Sequence, residues 1–171
     1  MILGSELEGF TAVDSLGEKI GKVKDVLVDT TGKEWDVKEI VFSWGILKGN
    51  GVFSLGDIKK FDESEKRIEL KGRVELREFD KEKFSRKYLS MNAVKDRDVF
   101  GSDEEEIGKI YDYVVATKLT PWQVVKILIR PHERRLKGRR IRLDVELISQ
   151  IKDVITVKQS REETEKTASE D

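Results

Sequence analysis

The chain has 171 residues, 37% hydrophobic and 39% charged, with 33 basic and 34 acidic side chains for a net charge of −1; that suits one medium domain or two small ones. It has no cysteine and one histidine, His132, which removes disulfides, thiolate metal sites, thiol nucleophiles and two-histidine relays. No window approaches the ~18–20 apolar residues of a membrane span, and the first residues lack the basic start and apolar stretch of a signal peptide. Abundant Lys, Arg and Glu with no cysteine suggest a protein of a heat-adapted, reducing cytoplasm.

In chain order, Gly9–Val13 is a short apolar run, closed by a turn at Asp14-Ser15-Leu16-Gly17. Glu18–Asp29 follows, then a turn at Thr30-Thr31-Gly32-Lys33, the run Trp35–Trp44, and the runs Gly51–Leu55 and Arg67–Lys71. Short stretches rich in Val, Ile, Phe and Trp with Gly, Asp, Ser and Thr between them predict strands. Alternation breaks at Ile20-Gly21-Lys22-Val23, where a glycine predicts a bulge or sharp bend of the kind a small barrel needs to close. Glu78–Leu89 is highly charged, with Phe79, Phe84 and Tyr88 at about helical intervals, and predicts a short linker helix or turn. Gln159–Asp171 lacks aromatic and large aliphatic residues and predicts a disordered acidic tail.

The runs recur. Sliding the chain by 87 positions lays Glu18-Lys19-Ile20-Gly21-Lys22 over Glu105-Glu106-Ile107-Gly108-Lys109, Asp25 over Asp112 and Trp35 over Trp122. Fifteen identities fall in positions 13–71 without a gap, against roughly 3–4 at average composition. Dropping one further residue near Gly56 sets Phe53 on Ile141 and Leu55 on Leu143. This is a tandem duplication, and it predicts two all-β units at 1–77 and 91–158, a linker at 78–90 and the tail at 159–171. Gly21, Asp25, Trp35, Gly108, Asp112 and Trp122 are then structural positions shared by both copies.

The stretch Val13–Asp29 (VDSLGEKIGKVKDVLVD) resembles the start of a PRC-barrel domain, the small β-barrel of the reaction-centre H subunit. Val52-Phe53-Ser54-Leu55-Gly56-Asp57-Ile58 resembles that family's strand into an Asp-Ile/Val corner, and Leu143-Asp144-Val145 echoes it. In the second copy the Asp-Gly turn is replaced by Ser102-Asp103-Glu104-Glu105-Glu106. The resemblance implies two tandem barrels of about six strands each, used for docking, with no enzyme activity and no cofactor. Its known contexts include the ribosome-maturation factor RimM and archaeal two-barrel proteins associated with FtsZ-based division through the membrane anchor SepF. By that analogy the chain is a scaffold or adaptor. It would contact SepF, a second PRC-barrel protein or itself, at the inner face of the membrane, without inserting into it. An RNA- or ribosome-associated maturation factor is the alternative.

Charge is segregated: residues 1–78 carry a net −3, 79–158 a net +5 and 159–171 a net −3. The strongest feature is the run 130–142, in which Arg130, Arg134, Arg135, Lys137, Arg139, Arg140 and Arg142 are basic. Guanidinium groups clamp carboxylates or phosphates, and no aromatic residue for base stacking lies inside the run. A solvated, charge-protected hairpin edge, a protein-binding patch and a nucleic-acid patch all fit it. The matching loop of the first copy is apolar, with Trp44, Ile46 and Leu47 as either an interface anchor or a lid. The acidic run 103–106 reads as a solvated turn and carries no metal-loop spacing. Asp25 and Asp112 read as hydrogen-bond acceptors and not as a catalytic pair.

Overall fold

The computed structural model describes residues 1–45, 49–72 and 76–170. In chain order the elements are β1 (Ile2–Leu3), α1 (Gly4–Leu7), β2 (Thr11–Val13), β3 (Lys19–Asp29), β4 (Trp35–Ser43), β5 (Asn50–Ser54), β6 (Ile58–Asp62), β7 (Arg67–Leu70), β8 (Arg77–Glu78) and α2 (Lys81–Ser85). There follow β9 (Leu89–Ser90), α3 (Met91–Val94), β10 (Asp98–Phe100), β11 (Glu106–Ala116), β12 (Gln123–Pro131), β13 (Arg139–Asp144), β14 (Ile148–Ile151), β15 (Ile155–Val157), α4 (Arg161–Glu165) and β16 (Ser169–Glu170). The chain is mostly β, 49% strand against 17% helix, and the helices are single turns at the ends of strands.

The duplication is visible in the pairing. Ala12 sits opposite Gly21 and Val99 opposite Gly108, with a register shift beside each glycine. The backbone explains both residues. A Cβ on Gly21 would lie 1.7 Å from the Ser43 carbonyl oxygen, and one on Gly108 2.1 Å from the Arg130 carbonyl oxygen. Neither glycine is there for a left-handed backbone; each lets the next strand approach where the long strand bends. The bulge also accounts for the broken alternation, because Ile20 and Ile107 occupy the extra position.

The two copies are interlocked by exchange of their first segments. β1 pairs with β11, and in α1 the Ser5 amide and hydroxyl donate to the Asp112 carboxylate. Reciprocally, β9 pairs with β3, and the Ser90 hydroxyl and Asn92 amide donate to Asp25. Each aspartate also accepts the amide of the residue after it, Val26 or Tyr113. Burial of the Asp25 carboxyl raises its pKa against the lowering effect of these donors. Equivalent positions then meet across a pseudo-twofold axis. Asp36 faces Gln123 where β4 pairs with β12, with the Gln123 amide donating to Asp36 at 3.2 Å. Likewise Glu8 pairs with Lys95 at 2.6 Å. In a symmetric pair of identical copies these contacts would be like against like; duplication has allowed unlike partners. One apolar core runs through both halves, from Phe10, Phe42 and Phe53 to Ile107, Tyr113 and Ile127.

Two expectations are corrected. The chain after residue 158 is ordered in the structure as far as 170. Ser160 and Glu163 form a capping box on α4, the Arg161 amide donates to Asp103, and Thr164 and Glu165 are buried. Glu165 pairs with Arg135 at 3.0 Å and Arg161 at 3.6 Å. Composition missed this because the segment is held by caps and a buried carboxylate, not by large apolar side chains. Secondly, the offset of 87 does not hold through β13. Ile40 pairs with Phe53 and its counterpart Ile127 with Leu143, so the offset there is 90. Phe53 therefore matches Leu143, not Ile141, and Asp144 matches Ser54, not Asp57. The three extra residues lie in the basic loop before β13. The offset returns to 87 at β15, where Ile155 faces Val99 as Ile68 faces Ala12.

Candidate protein-docking face

The β12–β13 hairpin points Ile127, Ile129, Ile141 and Leu143 into the core. The opposite face therefore carries Lys126, Leu128 and Arg130 from β12 and Arg140, Arg142 and Asp144 from β13, of which Leu128 is buried and Arg130 and Arg142 are exposed. Arg130 and Arg140 lie 5.6 and 5.4 Å from the centroid of the Tyr111 ring. In the loop between the strands Leu136 is buried, which anchors it, while Arg134, Arg135 and Lys137 are exposed, as is Arg139 at the start of β13. The loop frames a cavity of about 400 Å3 lined by Pro131, Leu136 and Arg140 among others. Arg135 is held by Glu165; among the described residues no carboxylate pairs with Arg134, Lys137, Arg139 or Arg142. The structure thus brings Arg130, Arg140 and Arg142 onto one sheet face and Arg134, Arg135 and Lys137 onto the loop beside it, with Arg139 at the start of β13 on the other side of the strand. It adds two residues the run did not include, Lys126 and Tyr111, which only strand pairing could reveal.

The same face of the first copy is built differently. Val41, Val52 and Leu27 form a second apolar cluster with Phe84 of α2, flanked by Phe79 and Tyr88. Their counterparts are Leu128, Arg142 and Val114. α2 begins at Asp80, whose carboxylate caps the Lys83 amide, and its aromatic spacing seats it on that face. β8 pairs there with β5, and Arg77 donates to the buried Glu39 at 2.7 Å. Glu39 corresponds to Lys126 in the second copy, which pairs instead with Asp144 at 2.5 Å. A covered apolar face with one paired acid corresponds in the second copy to a face where Val52 is replaced by the exposed Arg142.

Of the apolar loop, Ile46 and Leu47 lie outside the described residues. Trp44 is half-buried, with its ring 5.4 Å edge-on from Phe42 against the core. Trp35 is buried at the start of β4, while Trp122 packs edge-on against Phe61 at 4.7 Å. In the acidic run, Asp103 accepts the Arg161 amide and Glu105 pairs with its guanidinium at 3.6 Å. A larger groove of about 870 Å3 lies between the Thr30–Lys33 turn and β14, lined by Trp35, Ile148 and Lys158. Its lining offers no cluster of catalytic side chains.

Residues 1–73 match the family model for the PRC-barrel domain. A PRC-barrel domain is found at the N-terminus of this chain. No curated protein matches the chain. The match covers the elements from β1 to β7, the first copy of the repeat. Among the described residues no helix is long and apolar enough to cross a membrane.

Proposed function

We propose that the chain is a non-catalytic scaffold or adaptor made of two PRC-like barrels, the second of which docks a protein partner through its basic outer face. The observation that carries this reading is the contrast between equivalent positions. Glu39, Val41 and Val52 are covered by β8 and α2, whereas Arg142, the counterpart of Val52, is exposed, beside a loop that carries exposed Arg134 and Lys137. Exposed, unpaired guanidinium groups on a rigid sheet favour carboxylate-rich protein surfaces. The Tyr111 ring is engaged by two guanidinium groups, which leaves it poorly placed to stack a nucleobase. By analogy with two-barrel members of the family, the partner is SepF or another PRC-barrel protein at an FtsZ-based division site. The test is a pull-down from native cytoplasm at moderate salt, comparing wild type with Arg134→Glu/Arg142→Glu. Loss of a protein partner with unchanged ribosome profiles supports the adaptor. Retention of partners with defective ribosomal particles favours the RNA alternative.

A further inference from the structure

The continuous sheet ends on two edge strands, β6 in the first copy and β14 in the second, and among the described residues neither has a strand on its outer side. The two are equivalent. Lys60 pairs with Glu69 and Gln150 with Thr156, so Ile58-Lys59-Lys60-Phe61 corresponds to Ile148-Ser149-Gln150-Ile151. Each lies beside a turn of the other copy, β6 beside residues 117–122 and β14 beside residues 30–33. The first edge is guarded. Lys59 and Lys60 stand on the strand, each paired with a carboxylate, and Trp122 packs edge-on against Phe61 at 4.7 Å. Leu119 and Pro121 stand on the turn and leave a cavity of about 400 Å3. Charge and proline are what keep a foreign strand off an edge. At the second edge these guards are missing. Ser149 and Gln150 replace the lysines, Ile151 replaces the larger Phe61, and Gly32 and Glu34 stand where the other turn has Leu119 and Pro121. The cavity grows to about 870 Å3, and every residue of β14 lines it. Side chains alternate along a strand, so a groove that meets all of them runs along the strand's edge and not over one face.

The missing parts describe the occupant. In the first copy the space beside the edge is taken by Phe61, Leu119 and Trp122. In the second copy Trp35 is kept, buried at the groove's wall, but Gly32 and Ile151 stand for the other two. An occupant therefore has to bring a large apolar side chain of its own. Lys33 of the turn and Lys158, just past β15, line the groove against a single acid, Glu146. Lys158 donates to the Glu146 backbone carbonyl at 2.5 Å, and among the described residues no carboxylate pairs with either lysine. We propose that the free edge of β14 accepts an extended segment of a protein partner as an added strand, with one aromatic or large aliphatic side chain seated against Trp35 and Ile151 and acidic residues beside it. A nucleic acid has no backbone N–H and C=O groups with which to pair. A second copy fits less well, since its β6 is guarded and its β14 would bring the same lysines. The site draws on both copies, shares no residue with the basic face, and stands whether or not that face docks a partner.

The experiment selects a phage-displayed random library of peptides of roughly twelve residues on the full chain. Counter-selection uses a variant that restores the first copy's guards, Gly32→Leu with Gln150→Lys. Both positions are exposed, and a Cβ on Gly32 meets nothing closer than 3.8 Å, so the variant should melt as wild type does. If it does not, Ser149→Lys at its own exposed position takes its place. The expected result is a family of peptides with one aromatic or large aliphatic residue among acidic ones. A synthetic member shifts the amides of 148–151 in NMR spectra and binds wild type at least about tenfold more tightly than the variant. Replacing its acids by lysine, or N-methylating alternate residues, weakens binding to a similar degree. The inference is overturned by no enrichment, by enriched peptides that lack the large apolar residue or the acids, or by equal binding to the guarded variant. Undiminished binding of the N-methylated peptide, or shifts confined to residues outside the groove, overturns it as well. So does sedimentation showing wild type dimeric and the variant monomeric, because the edge then belongs to a second copy.

Discussion

Asp25→Ala tests the exchange of first segments directly. The substitution removes the acceptor of the Ser90 hydroxyl and of the Asn92 and Val26 amides. Each stranded buried donor costs roughly 1–3 kcal/mol. Part of that is offset because the carboxyl itself resists burial, as its raised pKa shows. The net loss expected is about 2–4 kcal/mol, and at ~2–4 °C per kcal/mol for a chain of this size the melting temperature falls by roughly 4–16 °C. Location matters more than size. The first protection lost in hydrogen exchange should lie at 89–94, more than sixty residues along the chain from the mutation and in the other copy. Asp112→Ala should loosen residues 2–7 in the same way. A double-mutant cycle of Asp25→Ala with Ser90→Ala should show a coupling of about 1 kcal/mol or more. A loss under about 0.5 kcal/mol, or exchange rising only around residue 25, would refute the reasoning.

Asp25→Asn should cost far less than Asp25→Ala, since the amide oxygen still accepts the two backbone donors and the NH2 group can donate to Ser90. Burial holds the folded pKa of Asp25 above the ordinary aspartate value of 3.8, so the folded state holds this proton more tightly than the unfolded one. Wild type should therefore gain stability relative to Asp25→Asn as pH falls through the folded pKa toward 3.8, read from urea midpoints; a relative loss would contradict this. Gly21→Ala and Gly108→Ala should each destabilise by about 2–4 kcal/mol, because their Cβ atoms would collide with backbone carbonyls; denaturant melts check this. Glu165→Ala removes the group that pairs with Arg135 and Arg161. Limited proteolysis should then cut 159–170 well before the core, with the main melting transition little changed.

The parts of the fold written locally were legible in the sequence. Asp14 and Gly17 make the first turn because the Asp14 carboxylate accepts the Leu16 and Glu18 amides and Gly17 takes φ of 81°. Phe79, Phe84 and Tyr88 gave the helix that became α2. The exchange was not legible, since Asp25 looks the same in sequence whether its donors come from its own copy or from residues 90 and 92. The three-residue insertion was hidden because a matching shortening before β15 restores the offset of 87, so an ungapped comparison ran through β13 in the wrong register. That insertion falls inside the basic run, which is why charge alone marked the candidate face while the alignment blurred its strand. Lys126 was missed because it is separated from the run in sequence and joins it only across the β12–β13 ladder.

Photo-crosslinking in cells from a probe at Lys137, with a matched probe at Lys60 on another face, tests the docking claim most directly. The account predicts nuclease-resistant protein adducts from position 137 alone, abolished by Arg134→Glu/Arg142→Glu in a chain that still melts cooperatively. Nuclease-sensitive adducts at 137, or equal protein adducts from both positions, would contradict it.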